Sequence, residues 1–145
     1  MPGTIVVVDD EPHIRTLVKS ALERQGYRVV EAQNGQEALG ICERLGPAID
    51  LLLTDIVMPV MDGIQLSERA SSILPNLRVL YMSGQCEIDV VQHHIREKGF
   101  GFVRKPFALD VLTQRIRKLV EAPARRKGPL REEPPADEAA GGRSA

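Results

Sequence analysis

The strongest constraint on this chain is its alternation between two hydrophobic rhythms. Short runs rich in β-branched residues or leucine occur at Ile5–Val8, Tyr27–Glu31, Asp50–Thr54, Val79–Met82 and Phe100–Arg104. Several are apolar at consecutive positions, the pattern of strands buried on both faces. Between them the period becomes helical. Ile14, Leu17, Val18, Ala21 and Leu22 stand at i, i+3, i+4, i+7 and i+8, one face of a helix. Ala38, Ile41 and Leu45 repeat in the same way, as do Ile88, Val91 and Ile95, and Leu109, Leu112 and Ile116. The segment Gly63–Leu74 is less periodic and is assigned to a helix by its position. Pro12 suits a first helical turn, and Gly26 falls just past that helix's end. Five strands alternating with five helices predict an α/β fold with a parallel sheet covered on both faces. Such folds bind ligands at the carboxyl ends of the strands, near the topological switch point.

Composition bounds the rest. The 145 residues are about one domain, long enough for a core without staples. A net charge of −1 supplies no basic excess for nucleic acid, so no direct DNA binding is expected. Cys42 and Cys86 lie far apart without metal-ligand spacing, which excludes a disulfide framework and a zinc site on sequence grounds. Two reduced thiols, no secretory leader pattern and no bilayer-length apolar stretch predict a cytoplasmic protein. After Ala122 the composition shifts. Residues 123–145 hold four Pro, three Gly, five Ala and nine charges, with Leu130 as the large apolar residue. Such a segment buries too little to offset its ordering entropy. The expected organisation is a domain over 1–122 and a disordered tail over 123–145, too short and polar for a second folded module. The basic cluster Arg125-Arg126-Lys127 reads as solvated linker rather than binding patch.

The residues that follow the strands carry the chemistry. Asp9, Asp10 and Glu11 follow the first, Asp55 the third, Ser83 the fourth and Lys105 the fifth. Three carboxylates (Asp9, Asp10 and Asp55), a hydroxyl and an ammonium therefore converge on one rim. Crowded carboxylates repel and are best reconciled by a bound cation. Oxygen donors without thiolate or imidazole suit Mg²⁺. Each residue also has a plainer role. Asp10 could cap the first helix, Asp55 could form a turn before Met58-Pro59, Ser83 could be a cap and Lys105 a surface residue. Together those roles need four coincidences at one edge of one sheet. No glycine-rich phosphate cradle follows the first strand, which argues against a nucleotide site. His13, His93 and His94 suggest neither a triad nor joint metal ligation.

The ordered set Val6-Val7-Val8-Asp9-Asp10-Glu11, Leu52-Leu53-Thr54-Asp55-Ile56-Val57-Met58-Pro59, Asp62-Gly63, Tyr81-Met82-Ser83-Gly84 and Phe102-Val103-Arg104-Lys105-Pro106-Phe107 closely resembles the receiver domain of bacterial two-component response regulators. The resemblance runs over roughly Thr4–Glu121 and extends to the chemotaxis-regulator-like members. It implies a flavodoxin-like doubly wound (βα)5 fold with strand order 2-1-3-4-5. It implies that Asp55 accepts a phosphoryl group from a sensor histidine kinase, a histidine phosphotransfer protein or a small acyl phosphate. Asp10, Asp55 and the Val57 backbone carbonyl would hold Mg²⁺, with Asp9 acting largely through water. Lys105 would offset phosphoryl charge. Ser83 and Phe102 would form the switch, remodelling the face of the fourth helix, fifth strand and fifth helix toward a downstream protein or a second copy. Pro59 and Gly63 would shape the acceptor loop, and Pro106 would follow a cis peptide that aims Lys105. Two departures stand out. Ser83 replaces the commoner Thr, and Phe102 the commoner Tyr, so no ring hydroxyl reads the state. The wording Tyr81-Met82-Ser83-Gly84 is similar to receivers of hybrid sensor kinases.

Two other readings compete. A receiver-fold interaction module that is never phosphorylated is disfavoured by the complete acidic, serine and lysine set. An aspartate-based phosphatase commonly has a second Asp two residues after its nucleophile, where this chain has Val57. The expectation is therefore a signalling domain rather than a turnover enzyme, with slow loss of its own phosphoryl group.

Overall fold

The computed structural model describes residues 3–84, 92 and 100–121. The strands are β1 (Thr4–Val8), β2 (Arg28–Ala32), β3 (Ile49–Asp55), β4 (Arg78–Ser83) and β5 (Gly101–Arg104). The helices among the described residues are α1 (Pro12–Arg24), α2 (Gly35–Leu45), α3 (Gly63–Ile73) and α4 (Leu109–Glu121), with a 3₁₀ turn at Gly46–Ala48. Label α4 thus belongs to the fifth helix expected from sequence. The expected helix around Ile88–Ile95 lies outside the described residues except for Gln92, which is helical. Residues 123–145 lie outside them too.

All pairings are parallel, and the strand order is β2-β1-β3-β4-β5, the doubly wound order. The consecutive apolar residues of β1 and β3 are explained by two cores. Val6, Val8, Leu52 and Tyr81 pack with Ala38, Ile41, Leu66 and Ala70 beneath α2 and α3. Ile5, Val7, Leu51, Leu53 and Met82 pack with Val18, Leu22, Leu112 and Ile116 beneath α1 and α4. Burial of a Leu or Ile on either face contributes about 1.5–3 kcal/mol, so both faces favour this sandwich.

Local chemistry sets the boundaries. Pro12 occupies the first turn of α1, and Gly26 takes φ 95°, the left-handed geometry that ends the helix. Tyr27 still bonds back to the Leu22 carbonyl, which delays β2 by one residue relative to expectation. Helix α3 begins with a capping box. Asp62 accepts from the Gln65 N–H at 2.8 Å, and Gln65 Oε1 accepts from the Asp62 N–H at 3.1 Å. Leu17 departs from the expected core face. It is 53% exposed, while Ile14, Val18 and Leu22 turn inward and the stem of Arg15 shares that side.

Candidate functional site

Strands β1 and β3 are neighbours whose connections run to opposite faces of the sheet. Their carboxyl ends therefore open a crevice at the topological switch point. Asp9 follows β1 and is fully buried, its N–H donating to the Ala32 carbonyl at 3.2 Å. Asp55 is the last residue of β3 and is also buried. Asp10 is exposed. Ligand oxygens of Asp9, Asp10 and Asp55 all lie within 4.8 Å of one another. Lys105 enters from the end of β5 and bridges two of these acids, with Nζ 3.1 Å from Asp9 Oδ2 and 3.1 Å from Asp55 Oδ2. The Lys105 N–H donates to the Ser83 carbonyl at 2.7 Å, joining the ends of β4 and β5. The Lys105–Pro106 peptide is cis.

The helix start excludes the plainer role for Asp10. Glu11 is the cap residue of α1 and makes no side-chain cap bond. Asp9 Oδ1 accepts from the Glu11 N–H at 2.9 Å instead. Ser83 is fully buried, and its hydroxyl has no hydrogen-bond partner among the described residues. Buried hydroxyls are rarely left unpaired, so this one is notable at the mouth of an acidic site. Phe102 is half-buried against the α2 and α3 core, in register with Tyr81.

The loop after Asp55 is tightly built. The Thr54 hydroxyl donates to the Asp55 carbonyl at 2.9 Å, and the Gly63 N–H donates to the Ile56 carbonyl at 2.7 Å. The Val57 side chain is exposed. Around Pro59, the Met61 N–H closes onto the Pro59 carbonyl at 2.8 Å, which forces Val60 to φ 72°. Met58 and Met61 anchor the loop in the core.

Electrostatics follow from this packing. Burial pushes the Asp55 carboxyl above the usual carboxylate range. The Lys105 ammonium opposes that rise, the Asp9 charge adds to it, and the Val57 N–H opposes it weakly. Burial works to lower the Lys105 ammonium, but the Asp55 and Asp9 carboxylates outweigh it and hold the group above its ordinary value. Three carboxylates against one ammonium leave the crevice electronegative. The donor set is oxygen only, which fits a hard divalent cation such as Mg²⁺.

Comparison with known proteins decides the family. The family model for the response regulator receiver domain matches residues 5–117. The chain belongs to this family. The sensor kinase CckA of Brucella abortus (strain 2308) is 36% identical over 119 residues, covering 82% of this chain and 13% of the kinase. The chain therefore spans only a small part of that relative. The receiver protein CpdR of the same organism is 36% identical over 119 residues, covering 81% of this chain and 97% of CpdR. Among solved structures, the receiver domain of the hybrid histidine kinase CckA matches with a TM-score of 0.72 at 32% identity. It covers 82% of this chain and 100% of that one. The receiver is a module of two-component signalling, and an acidic pocket that takes Mg²⁺ is general in the family.

Asp9, Asp10, Asp55 and Lys105 are brought together in this receiver, with Ser83 beside them at the end of β4. His13 is exposed on α1, and His93, His94 and Cys86 lie outside the described residues. Cys42 is on the buried face of α2, and burial raises its thiol pKa. Arg15 and Thr54 were not singled out from sequence. Thr54 reads as one more β-branched strand residue. The signal for Arg15 was a charge four residues after Glu11 on the apolar side of α1.

Proposed function

We propose that this receiver takes a phosphoryl group onto Asp55 from a phosphohistidine of a sensor kinase or phosphotransfer protein. The observation that carries the reading is the bridge from Lys105 Nζ to Asp55 and Asp9, 3.1 Å on each side. An Asp55 oxygen attacks phosphorus, and the donor's imidazole nitrogen leaves with the electron pair of the P–N bond. Lys105 stands where charge accumulates on the transferring oxygens, which is the main lever in phosphoryl transfer. Asp9, Asp10, Asp55 and the Val57 carbonyl are the groups that would hold Mg²⁺, which when bound offsets phosphoryl charge.

Ser83 supplies the response. Its hydroxyl, without a partner among the described residues, can donate to a phosphoryl oxygen on Asp55. Phe102, half-buried on the same sheet face, repacks when Ser83 moves. The β5 and α4 face then changes shape for a downstream protein or a second copy of the chain.

Intact mass after incubation with acetyl phosphate and Mg²⁺ tests the chemistry. A single phosphoryl adduct is expected, absent in Asp55→Asn and absent with chelator. An Asp55→Asn protein that still gains the adduct overturns the assignment. Phosphotransfer profiling against purified histidine kinases then names the donor.

A further inference from the structure

Arg15 sits in the first turn of α1 with its side chain only 14% exposed. Its guanidinium makes two directed contacts. Nη1 donates to the backbone carbonyl of Asp9, and Nε donates to Glu31 Oε1 at 3.3 Å. The other Glu31 oxygen is 3.4 Å from Lys19 Nζ, so the anchor at the end of β2 is itself held from two sides.

The Asp9 carbonyl needs this donor. The ladders of β1 stop at Val8, and among the described residues no backbone N–H donates to the Asp9 carbonyl. Asp9 is fully buried, so solvent does not serve it either. That carbonyl lies in the rigid peptide plane joining Asp9 to Asp10. Fixing its direction fixes the path on which the chain leaves Asp9, and with it the place from which the exposed Asp10 carboxylate starts. Asp9 itself is already tied by the Ala32 carbonyl, the Glu11 N–H and Lys105.

Resting on the Mg²⁺-dependent reading above, we infer that Arg15 is a positioning residue for the divalent-cation site. It holds the Asp9–Asp10 peptide so that both carboxylates reach one ion, with Glu31 as the anchor of its guanidinium. The planar fork of arginine serves a carbonyl and a carboxylate together, whereas the point donor of lysine serves one of them. Groups that orient metal ligands from behind typically carry about 10–100-fold of metal affinity.

The test is calorimetric Mg²⁺ titration of the full chain, with the acetyl phosphate adduct rate measured as a function of Mg²⁺. Arg15→Met is expected to weaken Mg²⁺ binding by about 10–100-fold. The adduct rate at saturating Mg²⁺ should be unchanged, because Asp55 and Lys105 are intact. Arg15→Lys should recover only part of the affinity, and Glu31→Gln should lose part of it. Wild-type Mg²⁺ affinity in Arg15→Met overturns the inference, and so does full recovery in Arg15→Lys, which would assign the effect to charge alone. If Arg15→Met does not fold, Glu31→Gln decides, and an unchanged Mg²⁺ affinity there overturns the inference. A wild-type chain that binds no Mg²⁺ would instead bring down the functional reading itself, and this inference with it.

Discussion

A methyl group on Gly63 would lie 2.2 Å from the Asp55 carbonyl oxygen and 2.9 Å from the Ile56 Cα. Both neighbours are backbone, so neither yields without moving the acceptor loop. Gly63→Ala should therefore destabilise the fold by about 1–3 kcal/mol, the usual range for overpacking. It should also slow adduct formation at Asp55, read by denaturant unfolding and intact mass together. Val60 carries the opposite lesson. It is β-branched, holds φ 72° and is 95% exposed, so its strain is offset by no packing of its own. Val60→Gly should stabilise the receiver by up to about 1 kcal/mol, since about 1–3 kcal/mol of relieved backbone strain exceeds the roughly 0.5–1 kcal/mol of entropy lost to glycine. A lowered denaturation midpoint would contradict this. At this scale the acidic residues were legible because their side-chain types are rare after apolar strands. Arg15 was not, because only the packed structure turns its side chain toward the Asp9 carbonyl.

Helix α3 and strand β4 are joined inside the core by a polar pair. Tyr81 is fully buried, and its hydroxyl lies 2.6 Å from Ser67 Oγ. Its ring meets Phe100 edge-on, with centroids 6.1 Å apart at 71°. Ser67→Ala leaves the Tyr81 hydroxyl buried and unpaired, so about 1–3 kcal/mol of stability should be lost. The double variant with Tyr81→Phe should recover much of it in a thermal or denaturant cycle. Burial pushes the Tyr81 hydroxyl up to about 12, while the Ser67 bond pulls it partway down. An acid raised above its ordinary value of 10.0 binds its proton more tightly folded than unfolded. Its contribution to stability is therefore full below pH 10 and is lost as pH rises toward 12. Following phenolate absorbance alongside unfolding in that window checks the sign. The elements themselves were largely legible. Helix α3 was the weakest from periodicity, because its start rests on the Asp62–Gln65 capping box rather than on an apolar stripe. Leu17 was misplaced because an i+3 neighbour can sit at the edge of the buried face, and burial there depends on what the helix packs against.

Over the whole molecule, a net charge of −1 conceals three carboxylates gathered against one ammonium. A cation that binds this folded site and not the unfolded chain must stabilise the fold. At a Mg²⁺ concentration about 100 times its Kd the gain should be about 2.7 kcal/mol, visible as a rise in Tm that chelator reverses. The gain should shrink in Asp55→Asn, which removes one of the three acids. An unshifted Tm across a wide Mg²⁺ range would mean the cluster holds no such ion.

The sequence by itself determined the layered α/β architecture, because a change of hydrophobic period from consecutive to helical admits few other arrangements. It also determined which residue types end each strand, and so the oxygen-only character of the crevice. Only the tertiary structure decided that Lys105, fifty residues after Asp55 in the chain, bridges Asp55 to Asp9, and that the buried Ser83 hydroxyl has no partner among the described residues. It also decided that Arg15 supplies the bond that the end of β1 lacks. Distances between residues remote in sequence depend on how two packed faces and several loops close together, and no local pattern carries that information.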